Sequence, residues 1–276
     1  MGAVNLYHHA ISLQKFGLKS LSPNLHSGHR GSSYASENFR PIVNMNGVFS
    51  MKSATRSATS AFFSAAESDV FPPTGGVLKR IFDVSTAMTA LVLISPLFLL
   101  LMLLVKLSDP GPVFYGHRRI GHNGKTFRCL KFRTMVVNGD KVLHSYLQAN
   151  PKALEEWRAT RKLQNDPRVT TVGSVLRKLS LDELPQLINI IRGEMSVVGP
   201  RPVVEDELER YETAAIYYLQ SRPGLTGLWQ VSGRNDVSYE SRVAFDTHYV
   251  KNWSLSSDMV IIAKTIPAVC LSRGSY

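Results

Sequence analysis

Cysteine is almost missing from this chain. Only Cys129 and Cys270 occur, far apart, which excludes a disulfide framework and a cysteine-based zinc motif. Two ordinary thiols in a reducing compartment are the expectation. Acidic residues are scarce too: 21 Asp and Glu stand against 32 Lys and Arg, a formal net charge of +11. Such a balance suits an anionic partner: nucleic acid, anionic lipid headgroups or a phosphate-bearing substrate. Nucleic acid has only the charge in its favour, because no helix-turn-helix or zinc-finger pattern is present. No internal repeat of about 20–50 residues appears. No apolar core of the signal-peptide kind lies near the start.

Residues 1–76 differ from the rest. They are rich in Ser, Ala, Asn, Gly and His and carry no lasting helical or strand period, so they read as a disordered, low-complexity tail. His8, His9, His26 and His29 have no regular spacing and read as solvated rather than metal-binding. PPTGG at 72–76 punctuates the boundary. Residues 77–107 then read as a membrane segment in preference to a buried helix of a soluble protein, and 108–276 as the remaining domain.

Within that segment, 84–105 are 22 uncharged residues. As one straight helix they would reach about 33 Å, enough for a hydrocarbon core of about 30 Å. Pro96 lies near the middle, where it removes a backbone hydrogen bond and pushes on the carbonyl four residues earlier. The freed carbonyl needs another donor, and the Ser95 hydroxyl is adjacent. A kinked span and a helix that turns back both satisfy this. Flanking charge favours turning back. Lys79 and Arg80 precede the segment, while Lys106, Arg118, Arg119, Lys125 and Arg128 follow it. By the positive-inside rule both ends prefer the same side.

Further on, the alternation in VFYGHRRIG and KTFRCLKFRTM predicts a hairpin turning at His122-Asn123-Gly124. A helix is predicted from Asn150-Pro151 to about Lys162. Another opens at Pro202 and runs through VVEDELERYETAAIYYLQ, with Glu205, Asp206 and Glu207 complementing its dipole. A third covers 239–252. Residues 258–266 present Met259, Ile262, Ala263 and Ile266 on one face, which suits a bilayer surface with Trp253 beside it, or plain core packing.

The most informative stretch is SLDELPQLINIIRGEMSVVGPRP, 180–202. Asp182 and Glu183 are adjacent carboxylates at a helix start. Ser180 with Glu183 matches a capping box, the plainer reading without context. The helix N-terminus would also keep both acids ionised. An ionised Asp can attack phosphorus, and a neighbouring Glu can hold a divalent ion. Gly199-Pro200-Arg201-Pro202 presents Arg201 on a stiff turn, where a guanidinium and free N–H groups would receive phosphate.

KRIFD, the Ser-Pro inside the apolar run, KFRTM, DPRVT, SLDELPQL, GPRP and RPGLTGLWQVSGR occur in this order over about 77–266. Together they resemble the bacterial sugar transferase family of monotopic phosphoglycosyl transferases, in particular the short, exopolysaccharide-initiating ExoY-like type. The resemblance implies an α+β, membrane-associated protein with a re-entrant helix broken at Ser95-Pro96, amphipathic interfacial helices and a small β element. It implies a bacterial inner-membrane location with the catalytic domain and tail facing the cytoplasm. It implies transfer of a sugar phosphate from a UDP-sugar to undecaprenyl phosphate, with Mg2+ and release of UMP; galactose or glucose is the expected sugar. By position Asp182 is the nucleophile and Glu183 holds magnesium. Arg201 binds phosphate, and Lys79 and Arg80 meet the lipid phosphate. Lys131, Arg133, Arg168, Gln230 and Arg234 are pocket residues or, equally, surface ion-pair formers. One departure is visible: where the family often has Gln before R-x-G-x-x-G, this chain has His117 beside Arg118 and Arg119. The competing class is a non-enzymatic basic module anchored at a membrane that binds anionic lipid or polysaccharide. It gives no reason for Asp-Glu beside an arginine turn.

Overall fold

The computed structural model of the chain describes residues 71–233 and 237–270. The tail with its four histidines, and Arg234, lie outside these residues.

The described chain opens with α1 (Gly76–Leu93) and α2 (Ser95–Ser108), which meet at a bend of 68°. The apolar run is therefore two helices, and no single helix among the described residues is long and apolar enough to cross a membrane. The break falls at Ser95-Pro96 for the expected reason: Ser95 Oγ donates to the Val92 carbonyl at 2.8 Å, the group that the proline ring displaces.

Strands β1 (Phe114–Ile120) and β2 (Thr126–Phe132) form the expected antiparallel hairpin, turning through a 3₁₀ segment at His122–Gly124. Asn123 takes a left-handed φ of 54° there, which Asn tolerates better than most residues. Helices α3 (Gly139–Ala149), α4 (Pro151–Thr160) and α5 (Thr171–Lys178) follow. Next come a 3₁₀ turn at Leu181–Glu183, then α6 (Gln186–Arg192) and β3 (Ser196–Val198). The helix expected from Pro202 is broken. Pro202 precedes α7 (Glu205–Glu209), a 3₁₀ turn at Glu212–Ala214, and α8 (Ala215–Leu219). Glu212 has φ 48°, outside any right-handed helix. Strand β4 (Gly224–Thr226), α9 (Leu228–Val231), α10 (Tyr239–Lys251) and α11 (Leu255–Cys270) complete the order.

The sheets are small. β1 pairs with β2, and β3 pairs in parallel with β4. A Cβ on Gly224 would lie 2.1 Å from the Gly199 nitrogen, so glycine is required where β4 opens against the chain leaving β3. One core cluster joins α2, β2 and α5 through Phe98, Leu101, Val105, Phe132 and Leu176. Phe98, Phe114 and Phe132 pack at centroid distances of 5.1–6.1 Å. A second gathers Val203, Leu208, Tyr211, Tyr218 and Leu219 under Ile120.

The first helix is locked to the rest by charge. Lys79 is 4% exposed and donates to Asp258 Oδ2 of α11 at 2.6 Å; Asp83 lies 3.9 Å away. Asp83 accepts from Ser196 Oγ and the Val197 N–H of β3. Trp253 Nε1 and the Tyr249 hydroxyl complete the shell of Asp258. Trp253, expected at a bilayer surface, is thus half-buried beside an ion pair. The outer faces of α1 and α2 are apolar: Val77, Ile81, Val92, Leu93, Leu99 and Leu107 are each at least 60% exposed. On α11, Ile261 is buried while Met259, Val260 and Ile266 point outward, so the expected apolar face lies on the surface. An apolar patch of this extent marks an interaction surface.

Candidate active site

The site is assembled from β2 and the turn before α6. On β2, Phe127, Cys129 and Lys131 share a face. The free edge of that strand is covered by Asn189, fully buried in α6. Its Oδ1 accepts from the Leu130 N–H (2.9 Å) and its Nδ2 donates to the Arg128 carbonyl (2.8 Å). A side-chain amide here replaces a third strand, which satisfies backbone groups that burial would otherwise orphan. The same contact brings Lys131 to the turn that starts α6.

There Lys131 Nζ lies 2.6 Å from Glu183 Oε1 and 3.6 Å from Asp182 Oδ2. Asp182 is nearly enclosed, its side chain 12% exposed, while Glu183 is three times more open at 36%. Burial raises the Asp182 carboxyl above the usual carboxylate range; the Lys131 ammonium opposes this, the Glu183 charge adds to it, and Arg177 opposes it. For Lys131, burial alone would lower the pKa, but Glu183 and Asp182 more than offset it and hold it above the ordinary value. Two expectations fail here. Ser180 is not a side-chain cap: it sits in the left-handed region (φ 56°) and the Glu183 carboxylate goes to Lys131. Nor does a helix N-terminus lower the Asp182 pKa, since burial outweighs every charge around it.

Arg177 is the group that sequence reasoning missed. Its Nε donates to Thr134 Oγ1 at 2.9 Å, and its charge acts on both Asp182 and Asp166. In sequence it reads as a basic residue ending a helix. Cys129, also beside Lys131, is no nucleophile: burial pushes its thiol up to about 11, with Lys131 opposing.

Other expected residues fall elsewhere. Lys79 is consumed by Asp258. Arg80 donates to the Ile190 and Ile191 carbonyls at 2.5 and 2.8 Å, closing the C-terminus of α6. Each therefore already holds a partner within the fold, Lys79 a buried carboxylate and Arg80 two backbone carbonyls. Arg133 binds the Asp109 carbonyl and carboxylate, tying β2 to the end of α2. Arg168 forms a two-pronged pair with Asp166 and lies over Trp157. For Arg133 and Arg168 the ion-pair alternative therefore describes what is seen. Gln230 sits on α9, its amide nitrogen 3.4 Å from the Leu225 carbonyl. Arg201 approaches the Trp229 ring at 5.8 Å. It is not on a helix start, and the turn's N–H groups are used: Gly199 donates to Thr226 and Arg201 supports Asp246. Only its guanidinium remains for a ligand.

Among the described residues no group of three His, Cys, Asp or Glu converges as a metal cage. The donor set is the adjacent pair Asp182 and Glu183, with Glu183 accessible. That is too few for a metal held by protein alone, but fits magnesium, which typically takes one or two carboxylates and completes its shell with water and substrate phosphate.

A helix-capping pair of acids would need neither the burial of Asp182 nor the contact of both carboxylates with Lys131. The family profile described as bacterial sugar transferase matches residues 74–272. The chain belongs to the bacterial sugar transferase family. It is 74% identical over 226 residues to the exopolysaccharide production protein ExoY of Sinorhizobium fredii, covering 82% of this chain and all of that protein. Over 199 residues it is 53% identical to an undecaprenyl-phosphate galactose phosphotransferase of Salmonella typhimurium, covering 72% of this chain. Over 216 residues it is 39% identical to a UDP-glucose:undecaprenyl-phosphate glucose-1-phosphate transferase of Escherichia coli, covering 74% of this chain. The matched part is 42% and 43% of those two proteins.

Proposed function

We propose that this chain transfers a hexose 1-phosphate, galactose or glucose, from a UDP-sugar to undecaprenyl phosphate as the first step of an exopolysaccharide repeat unit. The observation that carries the reading is the enclosed Asp182 carboxylate facing Lys131 and Glu183. An Asp182 oxygen attacks the phosphorus that bears the sugar. The bond from that phosphorus to the bridging oxygen breaks, and UMP leaves with the electron pair. An oxygen of the lipid phosphate then attacks the same phosphorus, the bond to Asp182 breaks, and the carboxylate returns. No net proton transfer is needed. Lys131 opposes the effect of burial on Asp182 and so favours its ionised form, and Arg201 binds donor phosphate. Glu183, with Asp182 beside it, would hold magnesium, which supplies charge neutralisation on the phosphates. A non-catalytic basic anchor would have no use for a buried carboxylate facing a lysine.

The test is UMP release from a panel of UDP-sugars, with and without undecaprenyl phosphate. Steady release with UDP-galactose or UDP-glucose that requires the lipid is expected. No release with any donor would sink the reading.

The bend at Ser95-Pro96 and the apolar outer faces of α1, α2 and α11 support a re-entrant, monotopic placement in the inner membrane, with both ends in the cytoplasm. Cysteines placed in the tail and near Tyr276 are expected to be shielded from a periplasmic thiol reagent in intact cells. Labelling of one and not the other would mean that the pair crosses.

A further inference from the structure

Among the described residues, four buried polar side-chain atoms without a hydrogen-bond partner lie on or beside one short helix. Trp229 Nε1, Gln230 Oε1 and Ser232 Oγ lie on or just after α9, and Arg242 Nε lies on α10. Arg242 stacks on the Trp229 ring at 4.2 Å, and Arg201 approaches the same ring. Trp229 is 4% exposed. A buried indole ordinarily brings its N–H to a partner, and each unpaired polar group in an interior calls for an explanation. Gln230 and Arg242 are half-buried, so these side chains reach the surface while their unpaired atoms lie just beneath it. Its position is also informative. Arg201 follows β3 and Trp229 follows β4; those strands are parallel, so both connections leave the sheet at its carboxyl end, where open parallel sheets hold ligands.

We propose that Trp229, Gln230 and Arg242 recognise the base of the nucleotide donor and select uracil over cytosine. This rests on the nucleotide-sugar reading above. Uracil presents a carbonyl, an N3–H and a second carbonyl along one edge. The cluster offers the complement: unpaired N–H donors on Trp229 and Arg242, and an unpaired acceptor on Gln230. The Gln230 amide is oriented by its nitrogen, which donates to the Leu225 carbonyl, and this leaves Oε1 to accept. Cytosine has no N3–H and carries an amine where uracil carries O4. Two of the three matches would then become acceptor against acceptor and donor against donor, the mismatch by which polar sites discriminate most strongly. The Ser232 hydroxyl, able to donate or accept, suits a ribose hydroxyl. The Arg201 guanidinium lies 5.8 Å from the centre of the same indole.

The test is calorimetric titration of the full chain in detergent with UMP and with CMP. UMP is expected to bind at least about a hundredfold more tightly. Gln230→Leu is expected to weaken UMP about tenfold and to erase most of the preference. Arg242→Lys keeps the charge but removes the Nε donor, and should weaken UMP more than CMP; it serves if Gln230→Leu fails to fold. UMP and CMP binding within threefold of each other, or an unchanged ratio in both variants, would overturn the inference. Turnover of UDP-sugars alongside unselective binding would leave the reaction standing and remove only the base site. Selective UMP binding without turnover of any UDP-sugar would do the reverse.

Discussion

Asp182→Asn is expected to release UMP at least a thousandfold more slowly than the natural chain, on the scale of about 10³ or more for loss of a nucleophile. The amide has the shape of the acid but cannot attack phosphorus. Its effect should be confined to chemistry. Burial opposes the charged form of Asp182 and raises its pKa, so the ionised group costs stability at any pH where it is charged. A neutral amide removes that cost, and the unfolding temperature is expected to be unchanged or higher. Incubating the natural enzyme with donor alone should place one hexose phosphate on the peptide containing Asp182, and the variant should carry none. A variant that still forms the adduct would move the nucleophile elsewhere.

Lys131→Met is expected to cost about a hundredfold in rate near neutral pH, the range for removing one preorganised charge partner. The sign of its pH dependence follows from the causes at Asp182. Burial and Glu183 raise its pKa, while Lys131 and Arg177 lower it. Without Lys131 the raising causes win by more, so the acid limb of the rate profile moves to higher pH and part of the activity returns as the solution is made more alkaline. Lys131→Arg should keep the limb near its original place. A uniform loss at every pH would mean that Lys131 binds substrate without tuning Asp182.

Much of this arrangement was legible in the residues. Alternation around His122-Asn123-Gly124 gave the hairpin because its side chains pack on one face. Ser95-Pro96 gave the break because a proline ring and a displaced carbonyl are local chemistry. What failed depends on distant partners. Ser180 and Glu183 have capping spacing, yet Lys131 from 52 residues away takes the carboxylate. Arg133 and Arg168 could not be separated from pocket residues until Asp109 and Asp166 were found against them. Nothing local to Lys79 signals its ion pair with Asp258, at the far end of the chain. The Asn189 clamp left one trace: a lone amide in the apolar run LINIIR. The helix after Pro202 broke where Glu212 turns left-handed, which no propensity at that position announces.

Three neighbouring residues on α1 hold three separate parts of the molecule. Lys79 grips α11, Arg80 the end of α6, and Asp83 the strand β3. Asp182 lies in the turn before the other end of α6. The bent apolar helix pair is consequently a post, not a leash: Asp182 keeps one fixed distance from α1. Under the proposed transfer, an acceptor must bring its phosphorus to that level by itself.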